Sequence, residues 1–246
     1  MTWGLVAANV VVFALETAWG GSQSGPTLYS MGAILGRGAL LSEPWRIVSS
    51  AFLHIGPVHL LLNMWALVAF GRLLERVWGP RRYLVFYALC AASGGLISAL
   101  VHSRTLAAGA SGAVWGLMTG EIAFLVRLRR QGDPRVQGSL ARIAQPLIIN
   151  FLYSLTPGID MSAHLGGGVA GWILSGLITP WSPEGAGWRK AAWGAGLGMA
   201  GCVALAIAHG RPWELRSPPR RVPQSMPVGP EPIESSDRLV RDWRPT

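Results

Sequence analysis

Residues 57–101 read PVHLLLNMWALVAFGRLLERVWGPRRYLVFYALCAASGGLISALV. Two apolar runs, at about 57–75 and 83–101, flank a connection that carries Arg72, Arg76, Arg81 and Arg82. Each run approaches the roughly 20 residues needed to cross about 30 Å of hydrocarbon. Five further runs follow the same pattern, at about 3–19, 109–126, 143–156, 161–179 and 190–208. The fifth in chain order, 143–156, is short.

Composition agrees. Of the 246 residues, 50% are hydrophobic and 13% are charged, with a mean hydropathy of +0.36. A soluble domain carries about 25% charge, so an ordinary soluble enzyme is excluded. Disorder is excluded for most of the length by the apolar content. The 12 tryptophans and 32 glycines fit membrane helices, which place Trp at their ends and Gly where they pack closely. Cys90 and Cys202 both lie in apolar runs, against a disulfide scaffold or a Cys-based metal site. The first run is not a cleaved leader in character: it lacks a basic start, and Glu16 sits near its end. The fold class expected is an all-α polytopic membrane protein. Residues 1–208 form a bundle of six helices plus a seventh at 190–208. Residues 209–246 form a flexible polar tail rich in Pro and Arg.

The net charge of +9 does not point to nucleic acid, because the arginines form short clusters between apolar runs. Their placement sets topology. Eleven basic residues lie in the stretches 72–82, 127–142 and 179–190, against three (Arg37, Arg46, Arg104) on the other side before the tail. The positive-inside rule makes the first group and the N-terminus cytoplasmic. Loops 20–56, 102–108 and 157–160 then face outward. The seventh span sends the tail outward, despite its basic start between Arg211 and Arg221. The loop 20–56 is long and apolar in patches such as MGAIL at 31–35, which predicts short helices at the outer leaflet.

Polar residues inside spans normally face the bundle interior or a water-filled cavity. His59 and Asn63 sit in the second span, Ser111 begins the fourth and His164 begins the sixth. The topology gives all of them the same outward depth. A serine hydroxyl needs a base within hydrogen-bond reach, and histidine is the usual one. Asp160, one turn before His164, is expected at the mouth of the site, so the residues support a Ser-His dyad more readily than a triad. His59 and Asn63, at i and i+4, share a helical face and supply donors for an oxyanion. Free backbone N–H groups at the start of the fourth helix add others. Gly109 and Gly112 allow close backbone approach there.

Each residue has a plainer role open to it: Ser111 as packing, either histidine as an interhelical partner, Asn63 as structural glue. It is their shared depth on three helices that favours chemistry. Gly112, Gly116 and Gly120 form a small-residue stripe answered by Gly167 and Gly171 in the sixth span. Trp115, four positions after Ser111, is expected against the imidazole of His164.

These residues carry a family resemblance. Trp45-Arg46, His59-Leu-Leu-Leu-Asn63, Gly109-Ala110-Ser111-Gly112 and Ala163-His164 with Gly167 and Gly171 resemble, in order and spacing, the motifs of rhomboid intramembrane serine proteases. The resemblance covers about residues 42–176. It implies Ser111 as nucleophile, His164 as base, and an oxyanion hole from His59, Asn63 and the Ser111 N–H. It implies that Trp45 and Arg46 support the fold from a loop partly in the membrane. It also implies no metal or cofactor, and single-pass transmembrane proteins as substrates, cut from a cavity open to the outer face of a cell membrane. A bacterial plasma membrane is expected from the Arg- and Gly-rich composition. Trp115 stands where the family often has Tyr or Phe. His54 matches a frequent family histidine and is read as structural. Glu121 lies too deep for His164 and is expected to pair with an arginine such as Arg127. The alternative is a non-proteolytic rhomboid-like protein that binds client helices. A transporter would need internal repeats, which the sequence lacks.

Overall fold

The computed structural model describes residues 1–36, 42–102, 105–136 and 138–178. The expected seventh span at 190–208 and the tail at 209–246 lie outside the described residues. Among the described residues six long helices form a bundle: α1 (Thr2–Trp19), α4 (Pro57–Trp78), α5 (Pro80–Val101), α6 (Ser111–Arg130), α7 (Ser139–Ser154) and α8 (Met161–Ile178). Between α1 and α4 lie the short helices α2 (Gly25–Ser30) and α3 (Arg46–Ser49), in keeping with the expectation for that loop.

Glycine and proline set the boundaries. Gly79, at φ 79°, closes α4, and Pro80 opens α5 at a position where its missing N–H costs nothing. The positive φ of Gly56 and the ring of Pro57 do the same before α4. Two features carried no signal in the sequence. Ile34–Leu35 (β1) pairs antiparallel with Leu106–Ala107 (β2), joining the first loop to the segment just before α6. Thr2, at the start of α1, donates from its N–H (2.8 Å) and hydroxyl (2.7 Å) to Glu75 near the end of α4, and the N-terminal amine pairs with the same carboxylate.

Helices α1, α4, α5 and α8 are long and apolar enough to cross a membrane. At 1.5 Å per residue, the 16 residues of α7 rise only about 24 Å. Helix α6 is the inner helix, packed against α4, α5 and α8, and it buries residues on every side. Its hydropathy is lowered chiefly by the charged Glu121, Arg127, Arg129 and Arg130. Large apolar side chains on the outer faces of the other helices, such as Trp3 and Val11 on α1, Leu61 on α4 and Val169 and Leu177 on α8, are exposed. A surface of that kind belongs in acyl chains, and the chain is a multi-pass membrane protein.

The core packs Phe70, Tyr83, Phe86, Tyr87 and Leu117 with no exposure or almost none. Across α6 and α8 the contact is backbone on backbone. A methyl added at Gly167 would overlap the Gly112 carbonyl, and one at Gly171 the Gly116 carbonyl. Gly120, the third member of the stripe, instead faces the ring of Phe86. On α5, Gly94 closes the third side: a Cβ there would lie 2.8 Å from the Ala163 carbonyl and 3.1 Å from Gly112 Cα. Gly112 and Ala163 are the chain neighbours of Ser111 and His164, so this three-way glycine contact fixes where those two side chains emerge.

In the first loop Arg46 is buried. Its guanidinium donates to Glu43 (2.9 and 2.7 Å) and to the carbonyls of Tyr29 (2.7 Å) and Ala33 (2.8 Å). It also stacks on the rings of Tyr29 and Trp45. These contacts tie α2 and β1 to α3. Glu121 lies within 3.6 Å of Arg142 on α7, rather than pairing with the expected Arg127. The arrival of α7 beside α6 brings Arg142 to that carboxylate.

Candidate active site

A cavity of about 240 Å³ opens among the start of α6, the start of α8, the segment before α4 and the end of α7. Ser111, His59 and His164 all line it, with Gly109, Asp160 and Tyr153. Three residues singled out in the sequence are thus brought together. Asn63, the fourth, sits one helical turn below His59 on α4, buried and outside the lining. Its Nδ2 donates to the His59 carbonyl at 3.0 Å. An amide nitrogen carries two hydrogens, so one donor is committed to the helix and one is left.

Ser111 is the first residue of α6, and no side chain caps that terminus. The first-turn N–H groups of a helix have no intrahelical acceptor, so they are available at the cavity floor. Gly109, two residues earlier, adopts φ 144°, and its N–H donates to the Ser50 carbonyl at 2.9 Å. A Cβ at Gly109 would stand 3.0 Å from His59 Nε2 and 3.6 Å from Ser111 Oγ. A side chain there would crowd the His59 ring beside Ser111, and glycine keeps that approach clear.

His164 is 3% exposed, and its ring stacks on Trp115. The indole Nε1 of Trp115 donates to Ser154 on α7 at 3.2 Å. The Nδ1 of His164 has no hydrogen-bond partner among the described residues. Asp160 does not supply one. Its carboxylate accepts from the Ser162 hydroxyl (2.5 Å), the Ala163 N–H (3.1 Å) and the Ser98 hydroxyl, and it pairs with His102 at 3.3 Å. Burial alone would raise the Asp160 pKa, but these donors and the His102 charge hold it below the usual carboxylate range. Asp160 thereby caps α8 and latches it to the end of α5. No cluster of three His, Cys, Asp or Glu side chains able to hold a metal occurs among the described residues.

Two features of the site were not singled out from the sequence. Tyr153 lines the cavity with its ring 6.4 Å from His59. Glu16 on α1 accepts from the His54 N–H just before α4. A lone aromatic in a short apolar run and a lone acid near the end of a span carry no spacing signal, so neither was legible without the fold.

Comparison with known proteins agrees with this architecture. The family model of the Rhomboid domain matches residues 41–181, more than half of the chain. Rhomboid protease GluP of Bacillus subtilis (strain 168) is 33% identical over 178 residues, 72% of this chain and 34% of that protein. RHOMBOID-like protein 6, mitochondrial, of Arabidopsis thaliana is 31% identical over 168 residues, 68% of this chain and 54% of that protein. Inactive RHOMBOID-like protein 8 of the same plant is 31% identical over 125 residues, 51% of this chain and 35% of that protein. The chain spans about a third to about half of the length of these relatives. It belongs to the rhomboid family.

Proposed function

We propose that the protein is an intramembrane serine endopeptidase. Family membership alone does not carry this, since one relative is named inactive. The observation that carries it is one cavity lined by Ser111, His59 and His164, with the N-terminus of α6 at its floor. Ser111 Oγ attacks the scissile carbonyl carbon while the His164 imidazole takes the hydroxyl proton. The tetrahedral oxyanion is met by the His59 Nε2–H, by first-turn N–H groups of α6 and by Asn63. The imidazolium of His164 then gives its proton to the leaving amine, and an acyl-enzyme remains on Ser111. Water, deprotonated by the same imidazole, attacks the ester and releases the acid. No carboxylate reaches His164 Nδ1 among the described residues, so the pair works as a dyad held by stacking. No metal or cofactor is required. The substrates are single-pass transmembrane proteins, cut within or near their spans. The membrane is a bacterial plasma membrane, with the cavity facing outward by the arginine count.

The test is turnover of a model transmembrane substrate by the purified protein in liposomes. Ser111→Ala abolishes cleavage and His164→Ala nearly does. The double variant is no worse than Ser111→Ala alone, because the two residues act as a unit. Robust turnover by folded Ser111→Ala would remove Ser111 as the nucleophile, and absence of turnover by the folded wild type would overturn the reading in favour of a non-proteolytic protein that binds client helices.

A further inference from the structure

Glu16 is fully buried near the C-terminal end of α1, outside the segment that the Rhomboid family model matches. Its two carboxylate oxygens accept the backbone N–H of His54, at 3.0 and 3.3 Å, across 38 residues of chain. Without that acceptor the His54 amide would be a buried unpaired donor. The next amide does different work: the Ile55 N–H donates to Nδ1 of His59 at 3.3 Å. A ring nitrogen that accepts a hydrogen bond carries no proton, so neutral His59 holds its proton on Nε2. That edge faces Gly109 on the cavity side. Behind it, the His54 ring meets the His59 ring edge-on at 5.2 Å, and His54 Nδ1 lies 3.3 Å from the Phe52 carbonyl. Glu16 touches neither ring by hydrogen bond. What it fixes is the peptide that leads into the donor.

We propose that Glu16 is a positioning residue. By holding the His54 amide it fixes the turn at residues 54–55, presents the Ile55 N–H to His59 Nδ1, and keeps the His59 Nε2–H directed at the cavity. Its effect on turnover rests on the oxyanion role given to His59 above. Its effect on the imidazole tautomer does not.

The experiment is nitrogen NMR on ¹⁵N-histidine-labelled full-length protein in detergent micelles, with His59 assigned by its loss in His59→Ala. Wild-type His59 shows a protonated Nε2 and a bare Nδ1. Glu16→Leu gives a mixture of tautomers, lowers kcat about tenfold and leaves KM within about twofold. Glu16→Gln retains an acceptor oxygen at the same reach, and keeps both the tautomer and most of the turnover. A wild-type His59 protonated on Nδ1 overturns the proposal, whether or not Glu16→Leu accumulates folded. So does a folded Glu16→Leu with an unaltered His59 signal, even with reduced turnover, since Glu16 then acts on stability alone. A wild-type protein that shows the Nε2–H tautomer, changes it in Glu16→Leu, and cleaves no transmembrane substrate removes the protease reading and leaves the positioning role standing.

Discussion

The indole of Trp115 lies 5.4 Å from the imidazole of His164, with the two ring planes 17° from parallel. The stack restrains a histidine whose Nδ1 finds no hydrogen bond among the described residues. The indole is itself anchored to α7 through Ser154. An aromatic pair contributes about 0.5–1.5 kcal/mol beyond burial, which corresponds to about a two- to tenfold change in rate when the ring is the catalytic base. Trp115→Leu is therefore expected to lower kcat by about that factor with little change in KM, and Trp115→Tyr to retain most of it. Steady-state kinetics on a transmembrane substrate in liposomes checks both. Equal loss in the two variants would place the effect in the Ser154 bond rather than in the stack.

The glycine contacts make a sharper forecast about stability. Gly167→Ala and Gly171→Ala drive a methyl into the carbonyls of Gly112 and Gly116, with backbone on both sides and no flexible neighbour to yield. Overpacking of this kind costs about 1–3 kcal/mol. Gly4→Ala meets open space and is expected to be neutral or slightly favourable. Unfolding by a graded mixture of denaturing and mild detergent should order the three proteins accordingly. Wild-type resistance in Gly167→Ala would contradict the close approach of α6 and α8.

How much of this was readable in advance differs residue by residue. The facing stripes on α6 and α8 follow from local chemistry, since i, i+4 spacing is a property of the string itself, whereas the spans read at 57–75 and 83–101 stop short of the boundary at Gly79-Pro80. The gathering of Ser111, His59 and His164 was readable because membrane topology fixes depth before the fold is known. Three other features needed the fold. The pairing of Ile34–Leu35 with Leu106–Ala107 is two residues long, too short to show a period. Glu121 meets Arg142 rather than Arg127 because tertiary placement of α7, not sequence distance, chooses the partner. Glu16 finds its donor in a backbone amide, and a backbone amide leaves no mark on the sequence.

Acid should destabilise the first loop before it touches the α8 cap. Burial, reinforced by the neighbouring His59 and opposed by the Phe52 carbonyl, pushes the His54 pKa down from 6.5 to about 3. Between those values the unfolded chain binds the proton and the folded chain does not. The part of the stability that depends on neutral His54 is complete above about pH 6.5 and declines as pH falls toward 3. Asp160 has a folded pKa below its ordinary value of 3.8, so its contribution is complete above that value and is lost only below it. Melting temperature measured from pH 7.5 to 4.5 is expected to fall for the wild type and to fall less for His54→Gln. Asp160→Asn should change the slope only in more acidic buffer. An identical slope for the wild type and His54→Gln would remove His54 from the acid response.

The proposed oxyanion role falls unequally on His59 and Asn63. His59 presents a ring edge to the cavity, whereas Asn63 lies a turn below, outside the lining, with one hydrogen committed to the His59 carbonyl. Removing one oxyanion donor from a soluble serine protease costs roughly 10²–10³ in turnover. Here the first-turn N–H groups of α6 and the remaining side chain share the charge, so Asn63→Ala is expected to lower kcat by about tenfold to a hundredfold and to raise KM less. The lost bond to the His59 carbonyl predicts a small shift in unfolding, since membrane hydrogen bonds contribute about 0.6 kcal/mol on average. A purely structural Asn63 makes the opposite forecast: lower stability, with kcat per folded molecule unchanged. Titration of Ser111 with a serine-reactive probe counts the competent sites, and turnover divided by that count separates the two roles. Normal turnover per labelled site, together with a large loss of thermal stability, would take Asn63 out of the oxyanion hole and leave His59 and the α6 backbone to hold the charge.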